Sequence, residues 1–284
     1  MTNSVGVIGV GALGEPVAAL LLKAGFAVSV CDVRREPLER LAKLGARPCA
    51  SAAQVARHSD LVVSLVLDAA QTMEVVFGES GLLGEIRPGA ILAIGSTLGP
   101  QPVRNIAQAL APRRAHLLDI PISGGLVAAR EGRLSVMAGG AEPVLERAMP
   151  VLKVFARDIT RTGGVGSGQT AKLAHQLVFS ANVMALLEGL ALGAAGGLDP
   201  AVLKQVLAKG LAGSAVLQAW PDLGARWKGM LAPTPPGAPP PNLRKDLHLV
   251  LELAAELGVP LHLAAQASRT ADAGVATGYA DPRL

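Results

Sequence analysis

Aromatic side chains are scarce: four Phe, two Trp and one Tyr in 284 residues. Half the residues are nevertheless hydrophobic, so the apolar content is mostly Ala, Val and Leu, which suits helices and parallel strands. The net charge is only +4 and the Lys and Arg residues are scattered. With neither a basic stripe nor an aromatic ladder, nucleic-acid binding is not expected. Cysteine is limited to Cys31 and Cys49. Two cysteines make neither a disulfide framework nor a zinc site, and they fit a reducing cytosol. No Cys/His/Asp constellation stands at metal-ligand spacing, so no metal is expected. The start, Met1-Thr2-Asn3-Ser4, lacks a basic n-region, so no secretion signal is expected and the cytoplasm is the expected location. One hydrophobic run, Leu177 to Ala195, raises the question of a membrane span. Ser180, Asn182 and Glu188 inside it point instead to a core helix of a protein that crosses no membrane.

What is present is a regular alternation of strand and helix over the first 162 residues. Short apolar runs at Val5–Gly9, Ala27–Asp32, Leu61–Leu67, Ala90–Ser96 and His116–Ile120 read as strands, with Leu134–Ala138 and Asp158–Thr162 as late members of the same sheet. Helical stretches separate them near 13–23, 36–44, 51–58, 69–77 and 102–111. This order predicts an α/β, Rossmann-type doubly wound sheet. An all-α domain should follow over 163–284, built around one long helix that starts after Gly163-Gly164-Val165-Gly166-Ser167-Gly168 and ends near Gly196-Gly197. From Leu173 to Leu192 that helix contains Glu188 as its one charged residue, which predicts burial on nearly all sides.

The first strand leads into Gly9-Val10-Gly11-Ala12-Leu13-Gly14, a G-x-G-x-x-G turn opening a helix. The first glycine permits the tight turn, the second a close approach of backbone to a pyrophosphate, and the third close helix–strand packing. Asp32 ends the second strand, where an acid accepts hydrogen bonds from the adenine ribose. A carboxylate there repels a 2′-phosphate, so NAD is the expected cofactor. Arg34 and Arg35 could swing onto that phosphate, so NADP stays open.

Ligands bind beyond the carboxyl ends of such strands. Leu67-Asp68 and Ser96-Thr97 stand at two of those ends. The Thr97 hydroxyl either meets the nicotinamide ribose or amide, or caps a helix ahead of Pro100. A further strand ends in Asp119-Ile120-Pro121-Ile122-Ser123-Gly124-Gly125. Such a turn is either an ordinary loop or a nest of amides around the Ser123 hydroxyl, apt for a carboxylate. Lys172 falls in the first turns of the long helix. Burial and the positive end of the helix dipole would both lower its pKa, so it could exchange protons near neutrality. Alternatively its amine snorkels to water.

Three motifs in this order resemble the β-hydroxyacid dehydrogenase family: the dinucleotide turn, a D-x-P-x-S-G-G pattern at 119–125, and G-x-x-G-x-G-x-x-x-K matched by Gly163, Gly166, Gly168 and Lys172. A K-D pair, Lys245-Asp246, completes the likeness, which covers nearly the whole chain. The resemblance implies an NAD(P)-dependent oxidoreductase that oxidises a small β-hydroxy acid or reduces the matching semialdehyde. It implies Lys172 as the catalytic lysine, with Ser123, Gly124 and Gly125 on the substrate carboxylate. Leu67, Asp68, Thr97 and Lys245 would line the cofactor. It further implies an assembly of two or four copies, with the active site between the two domains.

The chain departs from the family in places. Gln176 stands where the family usually has Asn, with His175 before it. Positions three and four after Lys172 share its helix face, so both could reach substrate, and His175 can titrate. Ala128-Ala129 replaces a usual Gly-Ala, which would narrow the pocket. A phenylalanine usual before K-D is missing, and a stiff Pro-rich segment, 232–241, precedes it. It could rim the pocket or simply connect. An imine reductase and a non-catalytic nucleotide-binding scaffold are the rival readings on this architecture. Relatives of the first kind usually carry Asp or Tyr at the lysine position, and relatives of the second tend to lose the lysine.

Overall fold

The computed structural model describes residues 3–220 and 242–273. The first compact unit, Met1–Lys172, is an α/β unit. Its strands are β1 (Ser4–Ile8), β2 (Ala27–Cys31), β3 (Arg47–Pro48), β4 (Leu61–Ser64), β5 (Ile91–Ile94), β6 (His116–Asp119), β7 (Ile122–Ser123), β8 (Leu134–Gly139) and β9 (Ala156–Gly163). Its helices are α1 (Gly14–Lys23), α2 (Arg35–Lys43), α3 (Ala52–Arg57), α4 (Ala69–Phe77), α5 (Pro100–Leu110), α6 (Gly125–Arg130) and α7 (Glu142–Phe155).

The sheet order is β3-β2-β1-β4-β5-β6-β8-β7, with β9 on β8. From β3 to β6 every pairing is parallel. β8 then runs antiparallel to β6 and β7. The order reverses between β1 and β4, the switch point where doubly wound sheets open a crevice. Val5, Val7, Val63, Ile91 and Leu118 face one apolar cluster with α1 and α7, and Ile8, Val62, Leu92 and Ile94 face another with α3 and α5. Strands buried on both faces read as unbroken apolar runs for that reason.

Three differences from the sequence reading have local causes. The run Leu61–Leu67 pairs only through Ser64, because its neighbour β5 ends at Ile94; Leu65 and Val66 continue as loop against the glycine turn. β3 and β7 are two residues long, too short to show a period. α7 escaped because it carries Pro143 at its start and Pro150 inside, yet Val144, Leu145, Ala148, Val151, Leu152 and Phe155 bury one face of it.

The second unit, Leu173–Leu284, is helical in its described residues. It contains most of α8 (Ser167–Ala195), then α9 (Pro200–Lys209), α10 (Ala215–Gln218), α11 (Asn242–Leu257) and α12 (His262–Ala273). Asp199 caps α9 by accepting from Ala201 N at 2.7 Å. Val183, Leu187 and Leu190 of α8 pack with Val216, Trp220, Leu247 and Ala271. Leu173 packs with Val250 and Ala264. By length and composition α8 could cross a membrane, but this buried stripe makes it a core helix. It is not buried on nearly all sides as its composition suggests: Ala174, Val178, Asn182, Ala185, Glu188, Leu192 and Ala195 form an exposed stripe at helical spacing. Trp227 and the Pro-rich segment 232–241 lie outside the described residues.

Candidate active site

The glycine turn fits a dinucleotide. Gly9 sits at φ +84, and a Cβ there would lie 2.9 Å from the Leu65 carbonyl carbon and Val66 N. A Cβ at Gly14 would lie 2.0 Å from Gly9 O, so α1 can start only this close to β1 without one. A Cβ at Gly11 would meet Arg34 Nη2 at 3.3 Å. Ala12 is exposed and Leu13 half-buried at the mouth of α1, leaving the first amides of the helix as an anion-facing end.

Asp32 follows β2 directly. It accepts from Arg34 N at 2.9 Å, Arg34 Nε at 3.1 Å and Arg34 Nη2 at 3.3 Å. The Asp32 side chain is 7% exposed and the Arg34 side chain 55%. The carboxylate is therefore held in place by a guanidinium that itself lies at the surface. Beside it, burial pushes the Cys31 thiol up to about 11, with Cys49 and Asp32 adding to the rise. Alkylation of Cys31 by iodoacetamide at pH 8 should then run about 100-fold slower in the native protein than in urea, because only the thiolate reacts. Equal rates in a peptide-mapped time course would contradict this environment.

The next strand ends carry polar loops. Leu67, 36% exposed, donates its N–H to Gln71 Oε1. Asp68 caps α4 by accepting from Gln71 N at 2.9 Å. Thr97 is half-buried and does not cap α5, whose cap position is Gly99. Gly99 takes φ +90, and Pro100 after it has no N–H to offer. The buried amides of Leu98 and Gly99 are bonded instead by the side chain of Gln169, whose Oε1 lies at 2.9 and 3.3 Å. Gln169 Nε2 donates to Ser96 O at 2.9 Å. Left unpaired, each such group would cost about 1–3 kcal/mol.

Asp119 ends β6 fully buried. Its carboxylate accepts from Gly166 N at 2.8 Å and Gln169 N at 2.9 Å, so it caps the start of α8. Burial holds its pKa above the usual carboxylate range, and the backbone N–H groups offset only part of that rise. Three residues on, β7 presents Ser123, followed by Gly124 at φ +124 and Gly125 at φ +70. A Cβ at Gly124 would lie 2.8 Å from the Ala128 methyl, and both Ala128 and Ala129 pack into the core. Lys172 is buried, and its Nζ donates to Ile122 O at 2.9 Å, immediately before Ser123. Its amine does not snorkel. The structure thus brings Lys172 together with the turn that holds Ser123, Gly124 and Gly125.

In the second unit, Gln176 Nε2 donates to Asp246 Oδ2 at 2.6 Å. That contact fixes the amide orientation, so Gln176 Oε1, 3.1 Å from His175 Nδ1, is the acceptor and Nδ1 carries the proton. Phe179 stacks on the imidazole with centroids 6.5 Å apart. Lys245 Nζ lies 2.8 Å from Asp246 Oδ1 on the first turns of α11. Sequence reasoning attached nothing to Gln169 or to Asp119 as a cap, and named Asp246 only as half of the K-D pair, without a role. A lone amide in the first turn of an apolar helix was the signal for Gln169.

The family model for the NAD binding domain of 6-phosphogluconate dehydrogenase matches residues 4–164. That for NAD-binding of NADP-dependent 3-hydroxyisobutyrate dehydrogenase matches residues 166–282. The chain is 35% identical over 257 residues to the 2-hydroxy-3-oxopropionate reductase of Escherichia coli, covering 90% of this chain and 86% of that one. It is 37% identical over 208 residues to the L-threonate dehydrogenase of Cupriavidus necator, covering 73% and 70%. The crystal structure of 3-hydroxyisobutyrate dehydrogenase from Salmonella typhimurium superposes with a TM-score of 0.82 at 30% identity, covering 95% and 93%. An imine reductase from Myxococcus stipitatus, 20% identical with a TM-score of 0.68, shares the fold. The doubly wound fold, the two family models and these relatives together define an NAD(P)-dependent oxidoreductase. The chain belongs to the β-hydroxyacid dehydrogenase family, enzymes that act on CH–OH groups.

Proposed function

We propose that Lys172 is the general acid–base group of this dehydrogenase and that the turn at Ser123, Gly124 and Gly125 holds the substrate carboxylate. The observation that carries the reading is the buried Lys172 amine, bonded to Ile122 O next to that turn. When bound, the nicotinamide supplies a hydride acceptor for oxidation or a hydride donor for reduction. Lys172 Nζ takes the hydroxyl proton in oxidation and returns it to the carbonyl oxygen in reduction. Consecutive glycines at positive φ free their amides to face an anion. Residues at the glycine turn and at Asp32, Leu67, Asp68 and Thr97 would hold the cofactor, with Lys245 from α11. Gln176, held by Asp246, orients the His175 ring through Nδ1.

The substrate we infer is a short acid with a hydroxyl near the carboxylate, of the kind that relatives named for 3-hydroxyisobutyrate, L-serine and L-threonate act on. The test is a panel: 3-hydroxyisobutyrate, L-serine, L-threonate, glycerate and a cyclic imine, followed by NADH formation or consumption. Turnover of one hydroxy acid supports the reading, and turnover of the imine alone rejects it. NAD is the inferred partner, because Asp32 keeps a carboxylate at the ribose end and Arg34 already has that carboxylate as its counter-ion. We expect kcat/KM with NAD to exceed that with NADP about tenfold or more, roughly 1.4 kcal/mol. We expect Arg34→Ala to lower the NADP value more than the NAD value; a wild-type preference for NADP would reverse the assignment.

The protein is inferred to be cytoplasmic and to assemble as a homodimer or homotetramer. Val178 and Leu192 of α8 and Val202 and Val206 of α9 are more than half exposed, and among the described residues α9 has none that is fully buried, only Leu203 and Leu207 packing partly on the core. Apolar surface of this kind marks an interface. Light scattering should return a mass of two or four chains, and a monomer at micromolar concentration would contradict it.

A further inference from the structure

Gln169 is fully buried, with a polar side chain in a helix start otherwise built of small residues. The hydrogen-bond partners of its backbone N–H and its side chain belong to the α/β unit. Backbone N–H of Gln169 donates to Asp119 at the end of β6. Its side chain spans to the loop after β5, accepting from Leu98 and Gly99 and donating to Ser96 O. One residue is thus tied by its main chain to the strand that leads into the Ser123 turn, and by its side chain to the loop that carries Thr97. The start of α8 cannot slide to compensate. A Cβ at Gly168 would lie 2.4 Å from Met137 O and 2.7 Å from Asp119 O, so the helix is already pressed against β8 and β6. Lys172 stands three residues later, about one turn along the same helix.

We infer that Gln169 is a positioning residue, whose amide holds the Thr97 loop at a set distance from the Lys172 amine. The inference rests on Lys172 being the acid–base group. No other residue type of this size supplies an acceptor for two amides and a donor for one carbonyl from a single flat group. Leucine or methionine would fill the space and leave the loop unfastened. Because the amine and the loop come from different elements, a shift of about 1 Å between them is enough to cost about 100-fold in rate.

The test uses full-length Gln169→Met and Gln169→Glu beside Lys172→Ala. The first removes all three side-chain bonds; the second keeps the shape but, ionised, turns the bond to Ser96 O into a repulsive contact, so it loosens the loop by a different route if the first does not fold. Amide exchange across residues 96–99, measured without cofactor, should speed up about tenfold or more for the variants. With the fastest hydroxy acid of the panel, kcat should fall about 10–100-fold while its KM moves less than about threefold, and the isotope effect from deuterium at the carbinol carbon should grow. Unchanged exchange, a smaller fall in kcat, a loss confined to KM, or a loss that only tracks the folded fraction overturns the inference. Should Lys172→Ala itself retain turnover, the acid–base reading fails first. An inactive Lys172→Ala beside fully active Gln169 variants sinks the positioning role alone.

Discussion

Lys172→Ala should lower kcat about 10²–10⁴-fold, the usual worth of a positioned acid–base group. NADH affinity, read from quenching or energy transfer, should stay within about threefold, because the glycine turn and Asp32 are untouched. The alanine change also deletes a buried stem and leaves Ile122 O without this partner, at about 1–3 kcal/mol. Lys172→Met separates the two effects. It keeps the stem, so stability should return toward wild type while kcat stays as low as in the alanine variant. If methionine restored turnover, the lysine would be packing and not chemistry. If both variants turned over normally, the proton would have to come from elsewhere.

Gly14→Ala should weaken dinucleotide binding about tenfold or more and unfold the protein at lower temperature. Alanine is the better helix former by about 1 kcal/mol, so propensity alone argues for stabilisation. The geometry argues the other way. The new methyl would sit 2.0 Å from Gly9 O, a backbone atom in the turn itself, with Leu65 Cβ behind it at 3.7 Å. Neither can swing aside like the end of a flexible side chain. Either α1 tilts off β1 or the turn opens, and such overpacking costs about 1–3 kcal/mol. For a chain of this size each kcal/mol lowers Tm by roughly 2–4 °C. Gly84→Ala is the control: a Cβ there meets nothing within 4 Å. Its stability should move by less than about 0.5 kcal/mol. Equal Tm and equal NADH affinity in Gly14→Ala would show that the close approach is not needed.

Legibility followed from how local each signal was. The glycine turn and Asp32 lie close in sequence to strands whose residues are buried on both sheet faces, so period and position identify them together. Lys172 was marked by being a lone cation at the start of an apolar helix. The ladder beyond Ser64 was misread because apolar residues in a loop packed under a turn look the same as residues in a strand. β7 exists only because β8, an antiparallel partner some residues later, offers it Val136 and Ser135 to pair with. The exposed stripe of α8 was hidden because composition reports what a helix is made of, not how many neighbours cover it.

The sequence by itself determined the doubly wound sheet, the glycine turn, the acid that follows β2 and the lysine at the start of α8, because each depends on spacing within one strand–helix unit. Only the tertiary structure decided what surrounds that lysine. Asp119 and the start of α8 are brought together from 47 and 50 residues apart, and the Gln169 amide meets its loop across 70 or more. Hydrogen bonds of that range are chosen by which backbone groups the folded sheet leaves buried and unpaired, and no local period in the chain records that.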